Sequence, residues 1–323
     1  MSPRGGAQPR GRRRRHDPTP VPDPVVPPGP SPADLHTHSR RSDGVLTPEQ
    51  LVAAAAACGV TTLAIADHDT LAGYREVVVA GLVPPGLELV PAVEINALVT
   101  RDLGLWEGEL HILGYGMDPD DEVFEATLAG QRAQRRIRFD RTVERLRELN
   151  LPVDAQVAAL PRDGDDALGR PTLARALMAA GYASSVEDAF RRLLGHGCPA
   201  YVPRQGLGPV EAIAAIRGAG GLAALAHFRE APDRPEVVRE LVEAGLGGLE
   251  VYYRAFDRPA VEAVGRVAAD LGLVPTGGTD YHGDTGSYAD AHRQVWLPPE
   301  AVEQLFERLA AEPERAGRTM ARP

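Results

Sequence analysis

The chain has 323 residues, 43% of them hydrophobic and 25% charged, enough to bury a sizeable core as one α/β barrel or about two domains. Its net charge is −10, and setting aside Arg4, Arg10, Arg12, Arg13, Arg14 and Arg15 leaves −16, an acidic body poorly suited to long nucleic-acid duplexes. Cys58 and Cys198 make neither a disulfide framework nor a cysteine-rich zinc site, and no apolar run approaches the roughly 18 to 20 residues of a membrane span.

Residues 1–32 are dominated by Pro, Arg, Gly and Asp, a composition that cannot offset its own ordering entropy, so a disordered tail is expected. Its RGRRRR run is a solvated segment or a contact for an acidic partner such as RNA. Prolines rather than an apolar stretch follow it, so it does not read as an export signal, and a reducing cytoplasm is expected.

From Ala33, short apolar runs alternate with helical segments, the pattern of βα units around a parallel sheet. A first strand at about 33–38 leads to a helix that Thr47 caps, with Pro48 at its first position and Gln50 completing a capping box. Gly59 closes that helix. Further strands are expected at 61–66, 87–95, 110–115, 222–226, 249–252 and 273–276, seven in all. Between Asp121 and about Tyr201, helical runs such as 131–149 and 171–180 replace the strand signals. The predicted arrangement is a barrel from 33–120 and 202–312, a mostly helical insertion at 121–201, and a flexible end at 313–323.

Six of the nine histidines fall at predicted strand ends: His36 and His38 end the first, His68 follows the second, His111 begins the fourth, and His227 and His282 follow the fifth and seventh. In a parallel barrel such ends converge on one face. His36 and His38, two apart on a strand, share a face and can grip one cation. Asp43 lies in the SDG turn, and Asp67 and Asp69 flank His68 in ADHD; taken singly, these suit a turn and a helix cap. Glu94 is different, because a carboxylate inside LELVPAVEINALV costs several kcal/mol if buried without a partner. Asp280 and His282 project together from the glycine-rich TGGTDYH. Imidazole and carboxylate together suit manganese, iron or zinc, and neighbouring cations can activate water for phosphoryl displacement.

In chain order, DLHTHS, SDG, ADHD, the VE of PAVEI, ELHILGYG, ALAH, GLEV and GTDYH resemble the motifs of the polymerase and histidinol phosphatase (PHP) superfamily, over about residues 33–300. The resemblance implies a distorted (β/α)7 barrel of PHP type with a trinuclear metal centre. It implies one metal at His36, His38, Glu94 and Asp280, a second at Glu94, His111 and His227, and a third at Asp43, His68 and His282. Three divalent cations are thus expected, Mn2+ first, with Fe2+, Zn2+ or Mg2+ as alternatives. Asp43, His68, Glu94, His227 and Asp280 are implied to be catalytic through that centre.

Within the superfamily, the insertion carrying GRPTLARALM and the following CPAYVPR are similar to stand-alone phosphoesterases of nucleoside 3',5'-bisphosphates and of 5' ends of short RNAs. Arg170 and Arg204 are implied to bind substrate phosphates, as a guanidinium fork suits phosphate oxygens. Thr172 and Phe228 depart from the usual His and Pro, so contacts there are expected to differ. His196 and His292 match no motif and are expected to be structural or exposed. Tyr281 is expected to pack a loop, and Glu250 to orient ligands from behind.

The expected reaction is hydrolysis of a phosphomonoester, foremost the 3' phosphate of a nucleoside 3',5'-bisphosphate, by a metal-activated hydroxide. The alternatives are a 5'-to-3' exonuclease on short RNA or DNA, a histidinol-phosphatase-like enzyme, and a non-catalytic metal-binding protein. The expected partner is a small nucleotide or short oligonucleotide, with neither long duplexes nor membranes; the sequence does not set the oligomeric state.

Overall fold

A computed structural model describes residues 29–99, 108–159, 168–284 and 286–311. The expectations for the Arg-rich run, including His16, and for residues 313–323 lie outside the described residues. The described residues take in 29–32, the last part of the expected tail. Ser31 is buried, and its hydroxyl accepts from the Leu297 amide at 3.1 Å while its carbonyl meets His292 Nε2 at 3.0 Å.

Seven strands form one sheet in chain order: β1 (Ala33–Thr37), β2 (Thr62–Ile65), β3 (Glu88–Val99), β4 (Gly108–Tyr115), β5 (Leu222–Leu225), β6 (Gly248–Tyr253) and β7 (Val274–Gly278). Past the last strand the sheet nearly closes on the first. The Asp280 amide donates to the His36 carbonyl at 2.7 Å, and the His38 amide to the Tyr281 carbonyl at 3.1 Å. The sheet is mixed, which corrects the parallel arrangement read from the sequence. β4 runs antiparallel to both β3 and β5, while the other pairs are parallel. β3 and β4 pair over eight residues in register.

Among the described residues, the helices before β4 and after residue 201 are α1 (Pro48–Ala57), α2 (Ala72–Val79), α7 (Pro209–Gly218), α8 (Pro235–Glu243), α9 (Arg258–Asp270), α10 (Tyr288–His292) and α11 (Pro299–Ala311). Between β4 and β5 the chain forms α3 (Glu122–Glu148), α4 (Asp154–Ala158), α5 (Arg170–Ala179) and α6 (Val186–Ala189), which continues as a π-turn, Phe190–Leu194. α3 starts nine residues before the helical run read from the sequence, because Asp121 caps it by accepting from the Phe124 amide at 2.8 Å. The capping box of α1 forms as read, with Gln50 N to Thr47 Oγ1 at 3.2 Å and Thr47 N to Gln50 Oε1 at 3.0 Å.

One face of α1 buries Leu51 and Val52 against Leu63 and Ile65 of β2. The alternate strand positions Ala64, Ala92, Leu113, Tyr115 and Ala224 form a second cluster. Continuing those alternations by two residues reaches Glu94 on β3 and His111 on β4. An apolar floor thus lies beneath the polar rim. Phe139, Leu146, Leu173, Leu177 and Leu194 pack the helices of residues 122–201 around a cluster of their own. Among the described residues, no helix is long and apolar enough to cross a membrane.

Candidate metal centre and phosphate cleft

The strand directions explain how dispersed residues reach one rim. His36, His68, Glu94, His227 and Asp280 sit at or just beyond the C-terminal ends of parallel strands, or within β3 as it passes the rim. His111 is the fourth residue of β4 rather than its first, and the reversed direction of β4 carries it to the same side.

Glu94 stands at the centre. Its Oε2 lies 3.4 Å from His36 Nε2, 3.1 Å from His38 Nε2 and 3.1 Å from His68 Nδ1. Its Oε1 lies 2.7 Å from His111 Nδ1 and 3.3 Å from His227 Nε2. Asp280 Oδ1 stands 3.3 Å from His36 Nε2 and 3.2 Å from His38 Nε2. On the other side, Asp43 reaches His282 Nε2 at 3.1 Å and His68 Nε2 at 3.5 Å.

Three groups of donor atoms, each within 4.8 Å, result: His36, His38, Glu94 and Asp280; Glu94, His111 and His227; and His38, Asp43, His68 and His282. The residues fit divalent cations on a physical test. His36 Nε2, His38 Nε2, His68 Nδ1 and Glu94 Oε2 are buried and lack any hydrogen-bond partner, a costly state for polar atoms. Donor atoms about 2.1 Å from one cation lie roughly 3.0 to 3.4 Å apart at octahedral or tetrahedral angles, which matches the separations around Glu94 and Asp280.

Charge reinforces the picture. Burial opposes ionisation of Glu94, yet His111, His68 and His36 hold it well below the carboxylate range. Burial likewise opposes ionisation of Asp43 and Asp280, and their histidine neighbours outweigh it. His36 is raised well above 6.5 despite burial by Glu250, Asp280 and Glu94, whereas burial drives His68 well below it.

A further layer fixes these side chains. Glu250, fully buried on β6, accepts from His36 Nδ1 at 2.9 Å with one oxygen and from the His227 amide at 2.7 Å with the other. Asp67 does not cap a helix. It accepts from the Ser39 amide at 2.7 Å and the Ser42 hydroxyl at 2.7 Å, anchoring the turn that carries Asp43. Asp34 accepts from Thr279 N at 2.9 Å and Tyr288 OH at 2.9 Å across the closing seam. Asp69, His227 and Asp280 adopt positive φ of 53°, 31° and 47°, which costs of order 1–3 kcal/mol each and re-aims the chain at the rim.

Residues 34–103 match the PHP domain. The chain is 38% identical over 293 residues to the 5'-3' exoribonuclease Rnm of Salmonella typhimurium, covering 85% of this chain and 93% of that one. It is 31% identical over 281 residues to the 3',5'-nucleoside bisphosphate phosphatase of Chromobacterium violaceum, covering 82% and 92%. The chain belongs to the PHP family of metal-dependent phosphoesterases. A crystal structure of such a phosphoesterase from Bifidobacterium adolescentis superposes with a TM-score of 0.73 at 34% identity, over 87% of this chain and 97% of the other. As a PHP phosphoesterase, the protein is a hydrolase of phosphoric esters that binds divalent metal.

Beside the candidate metal cluster opens a cleft between the barrel rim and helices α3 and α5, lined by Asp43, His68 and His111 on one side. Arg135, Arg138, Arg170 and Arg204 line the other. Arg170 and Arg204 were expected there; Arg204 is buried on Asp69 at 3.2 Å and is no surface bridge. Burial and the neighbouring Arg135 lower Arg204 to about 10.

Arg135 and Arg138 escaped the sequence reading because they sit inside an arginine-rich helix. Their signal was present: Gln131, Arg135, Arg138 and Thr142 of α3 follow one helical face, and all four are buried. Arg175 of α5 also touches the centre's support, donating to the Asp43 carbonyl at 2.7 Å.

The remaining expectations separate. Phe228 packs into the main core, so that departure is absorbed by packing, and Thr172 is buried in the first turn of α5. His292 is buried and stacked on Tyr288, while His196 is exposed against Tyr201. Tyr281 is buried, donating to the Gly286 carbonyl at 3.1 Å.

Proposed function

We propose that this PHP phosphoesterase removes the 3' phosphate from nucleoside 3',5'-bisphosphates. The observation that carries the reading is the arginine-lined cleft opening directly beside the ligand cluster, with Asp43, His68 and His111 belonging to both. The reacting phosphate would lie at the ligand cluster and the second phosphate among Arg135, Arg138, Arg170 and Arg204. Guanidinium forks grip phosphate oxygens well, and binding energy remote from the reacting bond favours bisphosphates over simple monoesters.

His36, His38, Glu94 and Asp280 would hold one cation, Glu94, His111 and His227 a second, and Asp43, His68 and His282 a third. This mixture of imidazole and carboxylate suits manganese first, then iron, zinc or magnesium. When bound, such cations supply the Lewis acidity that activates water and neutralises charge on the phosphoryl group. The chain's own part is positioning. Glu250 locks the His36 ring and the His227 backbone together, and Asp67 fixes the turn of Asp43.

A second reading, a 5'-to-3' exonuclease on short RNA, is supported by likeness to the exoribonuclease of Salmonella typhimurium. In it the arginine cleft takes the 5' phosphate of the strand. The test is a manganese-supplemented assay of a nucleoside 3',5'-bisphosphate, a nucleoside 3'-monophosphate, a short 5'-phosphorylated RNA and histidinol phosphate, with His68→Ala as control. The bisphosphate should exceed the monophosphate in kcat/KM by at least about tenfold. Preference for RNA selects the second reading, and preference for histidinol phosphate overturns both.

A further inference from the structure

The arginine cleft contains its own anion. Glu109 of β4 reaches Arg138 Nη1 at 3.3 Å and Arg170 Nη2 at 3.5 Å through one oxygen, and Arg204 Nη1 at 3.8 Å through the other. These are long contacts for a charge-assisted pair, whose usual range is about 2.7–2.9 Å. One carboxylate thus serves three guanidiniums without closing tightly on any.

Asp69 behaves differently. It is fully buried and accepts from both Arg135 and Arg204. Its role is structural support for the cleft wall, whereas Glu109 retains 20% side-chain exposure at the cleft surface. Four arginines face these two carboxylates on one wall of the cleft, with Asp43 on the other, so that wall keeps a positive excess. Arg138 Nη2 and Arg204 Nε are buried and have no partner.

We propose that Glu109 is a displaceable counter-ion, occupying the place that the substrate's second phosphate takes and setting how tightly that phosphate is held. The arginines do not depend on it for their positions. Arg138 donates to the Val202 carbonyl at 2.9 Å and lies over Tyr201, Arg170 lies over Phe190, and Arg204 rests on Asp69. With Glu109 gone the guanidiniums stay aimed at the cleft with one fewer negative charge. An incoming phosphate presents several oxygens to the same three donors, matching them better than a single carboxylate does. In the native chain, Glu109 weakens the grip and so permits release of the nucleotide product, which keeps its second phosphate.

This inference rests on the bisphosphate reading for its ligand, yet inorganic sulfate tests the cleft without turnover. Binding of sulfate to the full chain is measured by calorimetry for the native protein, Glu109→Gln, Arg170→Gln and the double variant, with thermal melting and metal content as checks of integrity. Glu109→Gln should bind sulfate at least about tenfold more tightly, the size expected for removing one charge a few ångströms away in a partly screened site. Arg170→Gln alone should weaken sulfate binding, and in the double variant the gain should shrink but persist, because Arg138 and Arg204 still hold the anion. Glu109→Gln should also lower KM for the bisphosphate and slow product release. Unchanged or weaker sulfate binding in a folded Glu109→Gln protein overturns the inference, as does sulfate binding that Arg170→Gln leaves unaffected. Tighter sulfate binding without bisphosphate hydrolysis by either protein would sink the proposed substrate and leave the counter-ion role standing.

Discussion

Glu94 and Glu250 divide one task at the residue scale. Glu94 faces five imidazoles within 3.4 Å, and Glu250 stands behind one of them, joining the His36 ring of one donor group to the backbone of His227 in another. Removing the charge behind a ligating histidine typically costs 10–100-fold in metal affinity or activity. Glu250→Gln should therefore weaken manganese binding by roughly that factor while leaving sulfate binding in the arginine cleft unchanged. A calorimetric titration that finds native metal affinity in Glu250→Gln would remove Glu250 from the account.

The same residues set a pH dependence. Burial works against charged His282, yet Asp43 and Asp280 raise it to about 10, and His36, His38 and His227 are also raised. In metal-free protein their pairing with carboxylates is fully present below the unfolded value of about 6.5 and fades as pH rises through the folded values. Metal binding has the opposite sign, because a cation must displace those protons. Manganese affinity should thus rise from pH 6 to 8 with release of protons. Calorimetry in two buffers of different ionisation heat reads that release directly, and identical heats would contradict it.

At the element scale, the seam between β1 and β7 holds the first donor group in place. A Cβ at Gly278 would lie 2.4 Å from the His36 amide and 2.6 Å from its Cβ, so only glycine lets the two strands approach. Gly278→Ala should cost about 1–3 kcal/mol of stability through overpacking and weaken metal binding by shifting His36. An unchanged melting temperature together with native metal affinity would show that the seam is more yielding than its packing indicates.

Much of this layout could be read from the sequence, and the failures have physical causes. Apolar runs marked all seven strands, and the Thr47–Gln50 box marked α1, because those signals are local. Strand direction is not local. Nothing in GELHILGY distinguishes a strand that runs down from one that runs up, so the reversal of β4 emerged only from its pairing with β3 and β5. Arg135 and Arg138 were hidden for a related reason: an arginine on a long polar helix looks solvated until another element covers its face.

At the scale of the whole molecule, an acidic chain concentrates positive charge in one cleft and negative charge among histidines beside it. β1 to β5 and β7, or the turns just after them, each contribute a donor to the candidate centre, so cations bound there would tie together strands distant in sequence. Ligands that bind only the folded state stabilise it by mass action. The sharpest measurement strips the full chain with a chelator, then adds manganese in steps while bound metal and bisphosphate hydrolysis are followed on the same samples. Activity should be absent after stripping and return in proportion to metal bound, and Glu94→Gln should recover neither. Full turnover by metal-free protein, or native metal uptake by Glu94→Gln, would contradict the account at its centre.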